Sequence, residues 1–220
     1  MNISEIFYSI QGEGMLVGMP SLFVRTAGCN LRCAWCDTPY TSWEPEGEEI
    51  ALDDLLSRIQ ARYVVVTGGE PMIAPEIVPL TRALRERGHH ITIETAGTVY
   101  APVACDLMSV SPKLGNSTPD GRWAAQHERL RIQPEVLRRL TTEYHYQLKF
   151  VVAKPDDLGE IQALVTQLGA PVDRVVLMPE GTSREVIATR NEWLIPLCKQ
   201  TGYRYSPRLH IDLFGNQRGT

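Results

Sequence analysis

Short apolar runs alternate with helix-like segments along almost the whole chain, and this alternation restricts the possible folds more than any other feature. Residues 63–67 form a β-branched run of the kind that makes a buried strand. In the segment before it, apolar residues recur at the helical spacing i, i+3, i+4 and i+7, at Leu52, Leu55, Leu56 and Ile59. Strands that alternate with helices build βαβ units, so we expect a mainly parallel sheet with right-handed crossovers.

About six such units can be recognised. We expect their strands at residues 21–26, 63–67, 90–94, 107–111, 146–152 and 174–178. Six units are too few for a closed eight-unit barrel, which leaves a partial barrel and a flat doubly wound sheet as alternatives. In both architectures ligands bind at the carboxyl ends of the strands. The last helix, at residues 183–199, contains Pro196, which we expect to kink it or to end it early.

Composition narrows the class of protein. The chain has 220 residues, no linker-like stretch and no internal repeat, so we expect one domain over residues 1–220. A net charge of −4 argues against a nucleic-acid binder, which would carry a basic excess. The first residues lack a basic, apolar leader, and no apolar run reaches the length of a membrane span. Five cysteines, three of them in one loop, favour a reducing cytoplasm over a disulfide scaffold.

Three cysteines follow the strand at residues 21–26. Cys29, Cys33 and Cys36 have the spacing C-x3-C-x2-C. A structural zinc site would need a fourth ligand, and no Cys or His stands close by on either side. A 4Fe–4S cluster takes four protein ligands as a rule, so three thiolates would leave one iron open for a small molecule. We favour the cluster, with a zinc site and ordinary thiols as alternatives; the spacing resembles that of the radical S-adenosylmethionine enzymes.

The ends of later strands are polar and rich in glycine. Residues 67–71 read Thr-Gly-Gly-Glu-Pro, and two adjacent glycines let the backbone approach a ligand closely. Alone, this turn is weak evidence, because it could simply cap the next helix. Other strand ends carry Thr95, the group Ser111-Pro112-Lys113 and the group Met178-Pro179-Glu180-Gly181. Since these ends meet at one edge of the sheet, we expect the residues to face one opening.

The loop before the first of these strands makes the similarity more specific. Residues 7–14 read Phe-Tyr-Ser-Ile-Gln-Gly-Glu-Gly, which alone would suggest an N-terminal hairpin. Together with Phe-Val-Arg at 23–25, Cys-Asp-Thr at 36–38 and the turn at 67–71, this loop closely resembles the 7-carboxy-7-deazaguanine synthase family. The resemblance extends to residues 206–213. It implies the partial TIM-like barrel, with the cysteine loop after the first strand.

The resemblance also implies an activity. Members of this family are radical S-adenosylmethionine lyases that convert 6-carboxy-5,6,7,8-tetrahydropterin to 7-carboxy-7-deazaguanine and ammonia, on the route to queuosine. Hydrogen is abstracted from C6 of the pterin, the ring contracts, and the hydrogen is returned. The implied cofactors are a 4Fe–4S cluster, S-adenosylmethionine and Mg2+. The implied partners are the pterin substrate, a flavodoxin-type electron donor and a second copy of the chain in a homodimer.

The resemblance also implies site residues, which we transfer from the family to the matching positions of this chain one by one. The cluster ligands are Cys29, Cys33 and Cys36, and the Mg2+ ligand is Thr38, with Asp37 as a neighbour that orients it. The substrate-binding residues are Ile10, Gln11, Gly12, Glu13, Arg25, Thr67 and His210. The residues for S-adenosylmethionine are Gly68, Gly69, Glu70, Thr95, Ser111, Pro112, Lys113, Met178, Pro179, Glu180 and Gly181.

Individual roles follow from the chemistry of these side chains. The amide of Gln11 offers the donor and acceptor that a pterin edge requires, and the fork of Arg25 suits the substrate carboxylate. Glu13 is suited either to bind an exocyclic amine or to transfer a proton. Glu70 would hold the amino group of S-adenosylmethionine. Many relatives have Gln where this chain has Met178, so a side-chain hydrogen bond to the cofactor is lost there.

Two other functions remain as alternatives. An activating enzyme that places a glycyl radical on a partner protein shares the cysteine spacing but lacks the loop at residues 10–14. A non-catalytic zinc or iron–sulfur binding module would also use the cysteines. Such a module has no use for glycine-rich turns at several strand ends, so we rank it last.

Overall fold

The computed structural model describes all 220 residues and contains one nine-stranded sheet. Its strands are β1 (Asn2–Ile10), β2 (Pro20–Thr26), β3 (Glu48–Glu49), β4 (Tyr63–Gly68), β5 (His90–Thr95), β6 (Leu107–Val110), β7 (Tyr146–Val152), β8 (Val175–Pro179) and β9 (Arg204–Tyr205). The helices are α1 (Pro39–Ser42), α2 (Leu52–Ser57), α3 (Ile77–Glu86), α4 (Ala124–Arg131), α5 (Pro134–Glu143), α6 (Asp157–Leu168), α7 (Arg184–Thr201) and α8 (Leu209–Phe214). No helix has both the length and the apolar character that a membrane crossing requires.

The sheet is mainly parallel and open, which confirms the partial barrel. Its strand order is β3-β1-β2-β4-β5-β6-β7-β8-β9. From β2 onward every neighbouring pair is parallel, and the six strands predicted from the apolar runs lie side by side. The two outermost strands do not pair with each other, so the sheet does not close. The carboxyl ends of the six parallel strands therefore form one continuous edge of the sheet.

A single apolar core joins this sheet to the helices. It contains 33 buried residues, and Val24, Val66, Ile93 and Leu148, from four strands of the sheet, are completely inaccessible to solvent. The amphipathic α3 contributes Leu80 and other side chains from its apolar face.

Two sequence-based expectations were wrong. Residues 2–10 form the long strand β1, which pairs antiparallel with β2 from Ile3 to Ile10, so the cysteine loop follows the second strand of the chain rather than the first. The helix α7 continues past Pro196 to Thr201, so the early end expected there does not occur. Its buried Leu194 and Cys198, on either side of the proline, pack into the core, and this packing outweighs the lost hydrogen bond.

Candidate active site

A cavity of about 460 Å³ lies at the carboxyl edge of the parallel strands, which is within the usual size range of small-molecule sites. Its wall contains residues from β1, the cysteine loop, the strand ends and the segment after β9. Most of the residues that the sequence singles out line this one cavity. They are Ile10, Gln11, Gly12, Glu13, Arg25, Cys29, Cys33, Cys36, Thr38, Thr67, Gly68, Gly69, Thr95, Ser111, Lys113, Met178 and His210.

Five of the singled-out residues lie outside the wall: Glu70, Pro112, Pro179, Glu180 and Gly181. Glu70 is completely buried behind the cavity. Its carboxylate accepts hydrogen bonds from the Thr95 hydroxyl at 2.7 Å, the Ala96 N–H at 2.8 Å and the Met72 N–H at 3.1 Å. Burial raises the pKa of Glu70, although these three donors oppose the shift. Glu70 therefore ties the ends of β4 and β5 together.

The end of β8 is held in a similar way. Glu180 forms an ion pair with Arg190 at 2.5 Å, so its carboxylate is turned toward α7. The carbonyl oxygen of Gly181 accepts a hydrogen bond of 2.7 Å from Arg208. Met178 is the member of this group that lines the cavity, and only 2% of it is exposed to solvent. The strand thus presents an apolar side chain to the cavity.

The cysteine loop is held tightly against the turn after β4. The N–H of Glu70 donates to the carbonyl oxygen of Gly28 at 2.9 Å. A Cβ atom at Gly69 would overlap that same carbonyl group and crowd the Cβ of Cys29. Only glycine therefore fits at position 69, and the loop and the turn form one rigid wall.

The three cysteines suit a cluster better than a single metal ion. All three line the cavity, and they pack together around Leu31 and Ala96. A structural zinc site takes four ligands, and these thiols supply only three. Sulfur ligands at separate corners of a 4Fe–4S cube do not need to meet at one point. The donor set therefore fits the cluster.

Burial keeps two of these thiols protonated at neutral pH. It raises the pKa of Cys29 to about 11 and that of Cys33 to about 12. Lys113 opposes both shifts, because its positive charge favours the thiolate form. A metal centre binds thiolates, so loading of the cluster must release protons from these residues.

A hydrogen-bonded chain of three polar side chains lines the cavity between β1 and β5. The side-chain amide of Gln11 donates to Glu94 at 3.0 Å, and the Thr67 hydroxyl donates to the other carboxylate oxygen of Glu94 at 2.9 Å. The carbonyl oxygen of the Gln11 side chain accepts from the N–H of Glu13 at 3.1 Å. These contacts fix the orientation of Gln11, which is almost fully buried.

Arg25 stands in the wall next to two stacked phenylalanines. Its Nε lies 2.7 Å from Glu5, and the Glu5 carboxylate also accepts from the Tyr40 hydroxyl at 2.9 Å. Phe7 stacks on Phe23 with 4.9 Å between ring centroids, and the Arg25 guanidinium lies 5.4 Å from the Phe7 centroid. The pair with Glu5 uses one side of the guanidinium fork and leaves the group accessible from the cavity.

A buried group of charges lies on the other side of the Gln11 loop. Glu13 forms an ion pair with Lys149 of β7, and Arg208 Nε lies 3.3 Å from the same carboxylate. Arg208 also pairs with Asp37. Burial alone would raise the pKa of Glu13, but Lys149 and Arg208 hold it well below its usual range. Burial opposes the charge of Lys149, yet Glu13 and Glu94 raise the pKa of that lysine.

Two further singled-out residues have defined partners. Lys113 Nζ donates to the carbonyl oxygen of Ser111 at 2.7 Å and to its hydroxyl at 3.0 Å. His210 packs directly on Gly12, where any Cβ atom would overlap its ring. Burial lowers the pKa of His210 despite the nearby Glu13 carboxylate, so its ring is neutral at pH 7.

The predicted Mg2+ ligand lies beside the cysteines. The Thr38 hydroxyl is 3.9 Å from the Cys36 sulfur and 3.5 Å from the Thr41 hydroxyl. Asp37 is bound to Arg208, and although burial opposes ionisation this guanidinium lowers the pKa of Asp37. An ionised Asp37 beside the Thr38 hydroxyl, whose two contacts are both long, is compatible with a hydrated Mg2+ ion, which needs few protein ligands.

The structure adds cavity residues that were absent from the sequence-based set. They include Glu94, Lys149 and Arg208, and the segment at residues 216–220 also lines the wall. Lys149 had a visible signal, because it interrupts the otherwise apolar end of β7. Arg208 had none, since a lone arginine in a terminal segment is normally a surface residue.

The chain is similar to known proteins in sequence and in fold. The model of the Radical SAM superfamily matches residues 23–113. The chain is 45% identical to the 7-carboxy-7-deazaguanine synthase of Halobacterium salinarum, over 97% of this chain and 90% of the relative. It is 48% identical to the enzyme of that name from Rhodopirellula baltica, over 99% and 88%. The crystal structure of QueE from Escherichia coli superposes with a TM-score of 0.72 at 28% identity, over 95% of this chain and 94% of that one.

Proposed function

The chain belongs to the 7-carboxy-7-deazaguanine synthase family of radical S-adenosylmethionine enzymes. From this premise we propose which of its residues bind the cofactors and which bind the substrate. The proposed substrate is 6-carboxy-5,6,7,8-tetrahydropterin, and the products are 7-carboxy-7-deazaguanine and ammonia. One observation carries the proposal: the three cysteines share a single cavity with Gln11 and Arg25. A cofactor held by the cysteines would therefore lie within reach of a substrate held by the other two residues.

We assign cluster binding to Cys29, Cys33 and Cys36. When bound, the reduced cluster would supply one electron to S-adenosylmethionine, and this pair of groups would supply the hydrogen abstraction that starts the reaction of the substrate. Gly69 keeps the turn packed against the cysteine loop, and we place the cofactor against this turn. Lys113 places a cation near the cysteines. Met178 gives an apolar surface for the adenine. Glu70 acts indirectly, because its buried carboxylate holds the Thr95 and Ala96 backbone in place.

We assign recognition of the pterin to the chain of polar groups between β1 and β5. Gln11 is fixed by Glu94 and so presents its amide to the pterin edge in one orientation. Arg25, steadied by Glu5 on one side, offers its remaining N–H groups to the substrate carboxylate. Thr67 completes this wall through its bond to Glu94. Preorganised polar groups of this kind lower the cost of substrate ordering.

Glu13 is assigned the role of hydrogen-bond acceptor for an exocyclic amine of the substrate. Its low pKa keeps the carboxylate ionised throughout the physiological range. An ionised carboxylate accepts hydrogen bonds and has no proton to donate. Lys149 and Arg208 supply the positive charge that makes this burial tolerable. The neutral ring of His210 closes the same end of the cavity against Gly12.

Several wider properties complete the proposal. We assign Mg2+ to Thr38, with waters and the substrate carboxylate as the remaining ligands. Family resemblance supports a flavodoxin-type electron donor and a homodimer. Five unpaired thiols suit the reducing cytoplasm as the location. Residues 1–220 act as one catalytic domain, which the continuous core of 33 buried residues supports.

Anaerobic reconstitution tests the function directly. Protein loaded with iron and sulfide is incubated with 6-carboxy-5,6,7,8-tetrahydropterin, S-adenosylmethionine, Mg2+ and dithionite, and products are followed by chromatography and mass spectrometry. We expect 7-carboxy-7-deazaguanine and ammonia in equal amounts, and no product from Cys33→Ala. Fully loaded wild-type protein that forms no 7-carboxy-7-deazaguanine would contradict the proposal.

A further inference from the structure

We propose that His127, a buried residue outside the large cavity, is a positioning residue for the cluster, because it holds the backbone of the cysteine loop beside Cys33. The inference rests on the proposed function, since only a chain that loads a cluster needs this loop in one conformation. None of the roles assigned above involves His127, which lies on helix α4, far from the cysteines in the chain.

The peptide N–H groups on both sides of Cys33 bind to one pair of buried residues. The N–H of Arg32 donates to Nδ1 of His127 at 3.2 Å. The N–H of Ala34 donates to the carbonyl oxygen of Ser117 at 2.8 Å. His127 and Ser117 bond to each other at 2.9 Å, through the second ring nitrogen and the hydroxyl. Together these three bonds fix the backbone on both sides of a cluster ligand.

Only one tautomer of His127 is consistent with these contacts. A peptide N–H can only donate, so Nδ1 is the acceptor and Nε2 carries the proton. The Ser117 hydroxyl donates to the carbonyl oxygen of Leu114 at 2.6 Å, which leaves its oxygen free to accept from Nε2–H. Both nitrogens of a side chain that is only 1% exposed are therefore satisfied. Loss of the ring would leave the Arg32 N–H without its acceptor, which is costly at a partly buried position.

Helix α4 also holds the segment proposed for S-adenosylmethionine. Arg131, one turn after His127, donates to the carbonyl oxygen of Lys113 at 3.1 Å. Leu130 packs on the apolar cluster of the cysteine loop. None of these three residues of α4 lines the large cavity. The helix therefore supports the cysteine loop from behind, without contact to the space where the substrate would bind.

Support of this kind affects how firmly a cluster is held. A loop that already has the right conformation loses less freedom when the metal binds, so the loaded state is more stable. Residues that orient metal ligands without binding the metal change affinity by about 10–100-fold when they are replaced. Cys33 is the middle ligand of the three, and His127 controls the peptide group next to it.

Two conservative variants separate the two bonds of His127. In His127→Asn the side-chain oxygen takes the place of Nδ1, so the bond to Arg32 is kept and the bond to Ser117 is lost. In His127→Gln the side-chain nitrogen takes the place of Nε2, so only the bond to Ser117 is kept. His127→Leu loses both bonds, and the control His145→Leu changes an exposed histidine just before β7.

Each protein is reconstituted anaerobically and freed of excess iron and sulfide. An iron chelator is then added, and the loss of cluster absorbance is followed over time. Urea unfolding of the unloaded proteins measures the stability of the fold separately. Neither measurement requires substrate or turnover.

We expect cluster loss to be about tenfold faster in His127→Leu and His127→Gln, and within about twofold of wild type in His127→Asn and the control. A merely structural role predicts equal rates for the Asn and Gln variants, because each loses one buried bond. Equal rates for these two variants would therefore overturn the proposal, even if His127→Leu does not fold. A His127→Leu rate equal to that of wild type would overturn it as well.

The outcomes also separate this inference from the proposed function. Absence of 7-carboxy-7-deazaguanine from fully loaded wild-type protein would contradict the proposed function, while the rates of cluster loss would still decide about His127. Wild-type protein that takes up no cluster would contradict both.

Discussion

Lys149 offers the most informative substitution, because its charge is buried in the cavity wall and absent from the sequence-based set. Only 5% of the residue is exposed, and its ammonium group pairs with Glu13. Methionine has a similar length and no charge, so Lys149→Met removes the cation and leaves the volume nearly unchanged. The carboxylate of Glu13 then keeps one close cation, Arg208, at 3.3 Å from its Nε.

The expected loss of unfolding free energy in Lys149→Met is limited by Arg208, which still compensates part of the Glu13 charge. Removal of one partner from a buried ion pair costs about 3–5 kcal/mol. Because Arg208 remains, we expect the lower end for Lys149→Met, about 3 kcal/mol of unfolding free energy. Glu13 has a depressed pKa, so its stabilising contribution is present above the ordinary carboxyl pKa and is lost as the pH falls through the folded-state pKa. Without Lys149 this loss begins at a higher pH.

Urea unfolding followed by circular dichroism measures the effect at pH 7 and pH 5. The matched control is Lys154→Met, which changes an exposed lysine in the loop after the same strand and should stay within about 0.5 kcal/mol of wild type. The double variant Glu13→Gln/Lys149→Met removes both charges and should be more stable than Lys149→Met alone. A Lys149→Met protein within 1 kcal/mol of wild type at both pH values would refute the reasoning.

Three further outcomes follow from particular contacts. Gly69→Ala would push a methyl group into the Gly28 carbonyl, so we expect at least a tenfold lower iron content after reconstitution, measured by iron analysis. The control is Gly159→Ala, whose Cβ would meet open space on a helix with ordinary backbone angles. Cluster loading should release protons and become faster between pH 7 and pH 9. The reason is that burial raises the pKa of Cys29 to about 11 and that of Cys33 to about 12. A loading rate that is independent of pH would contradict this dependence on thiol ionisation. Arg25→Ala should lower kcat/KM by about a hundredfold through loss of a charge-assisted contact to the substrate carboxylate, whereas a glycyl-radical activating enzyme would keep its activity.

Local sequence patterns were sufficient to predict much of the fold. Apolar runs of the right length predicted six parallel strands, because such strands are buried on both faces and show little alternation. The spacing of the cysteines and the two glycines at 68 and 69 indicated where the chemistry lies. These signals are local, since each depends on residues close together in the chain.

The rest depends on contacts between distant parts of the chain. Strand β1 mixes polar and apolar residues, and its pairing with β2 stabilises it more than its own sequence does. The ion pairs of Glu13 join residues 13, 149 and 208, which only the completed sheet brings together. Pro196 stays helical because the flanking side chains are buried. In each case tertiary packing outweighed the local preference.

The central claim is that one cavity holds both the cofactor on the three cysteines and the pterin on Gln11 and Arg25. A crystal structure of the reconstituted protein with S-adenosylmethionine and 6-carboxy-5,6,7,8-tetrahydropterin tests it most directly. We expect S-adenosylmethionine beside Gly69 and Lys113, the pterin edge on Gln11 and its carboxylate on Arg25, with the two ligands in contact. Density for the pterin away from Gln11 and Arg25, or in a cavity that the cysteines do not line, would contradict the claim.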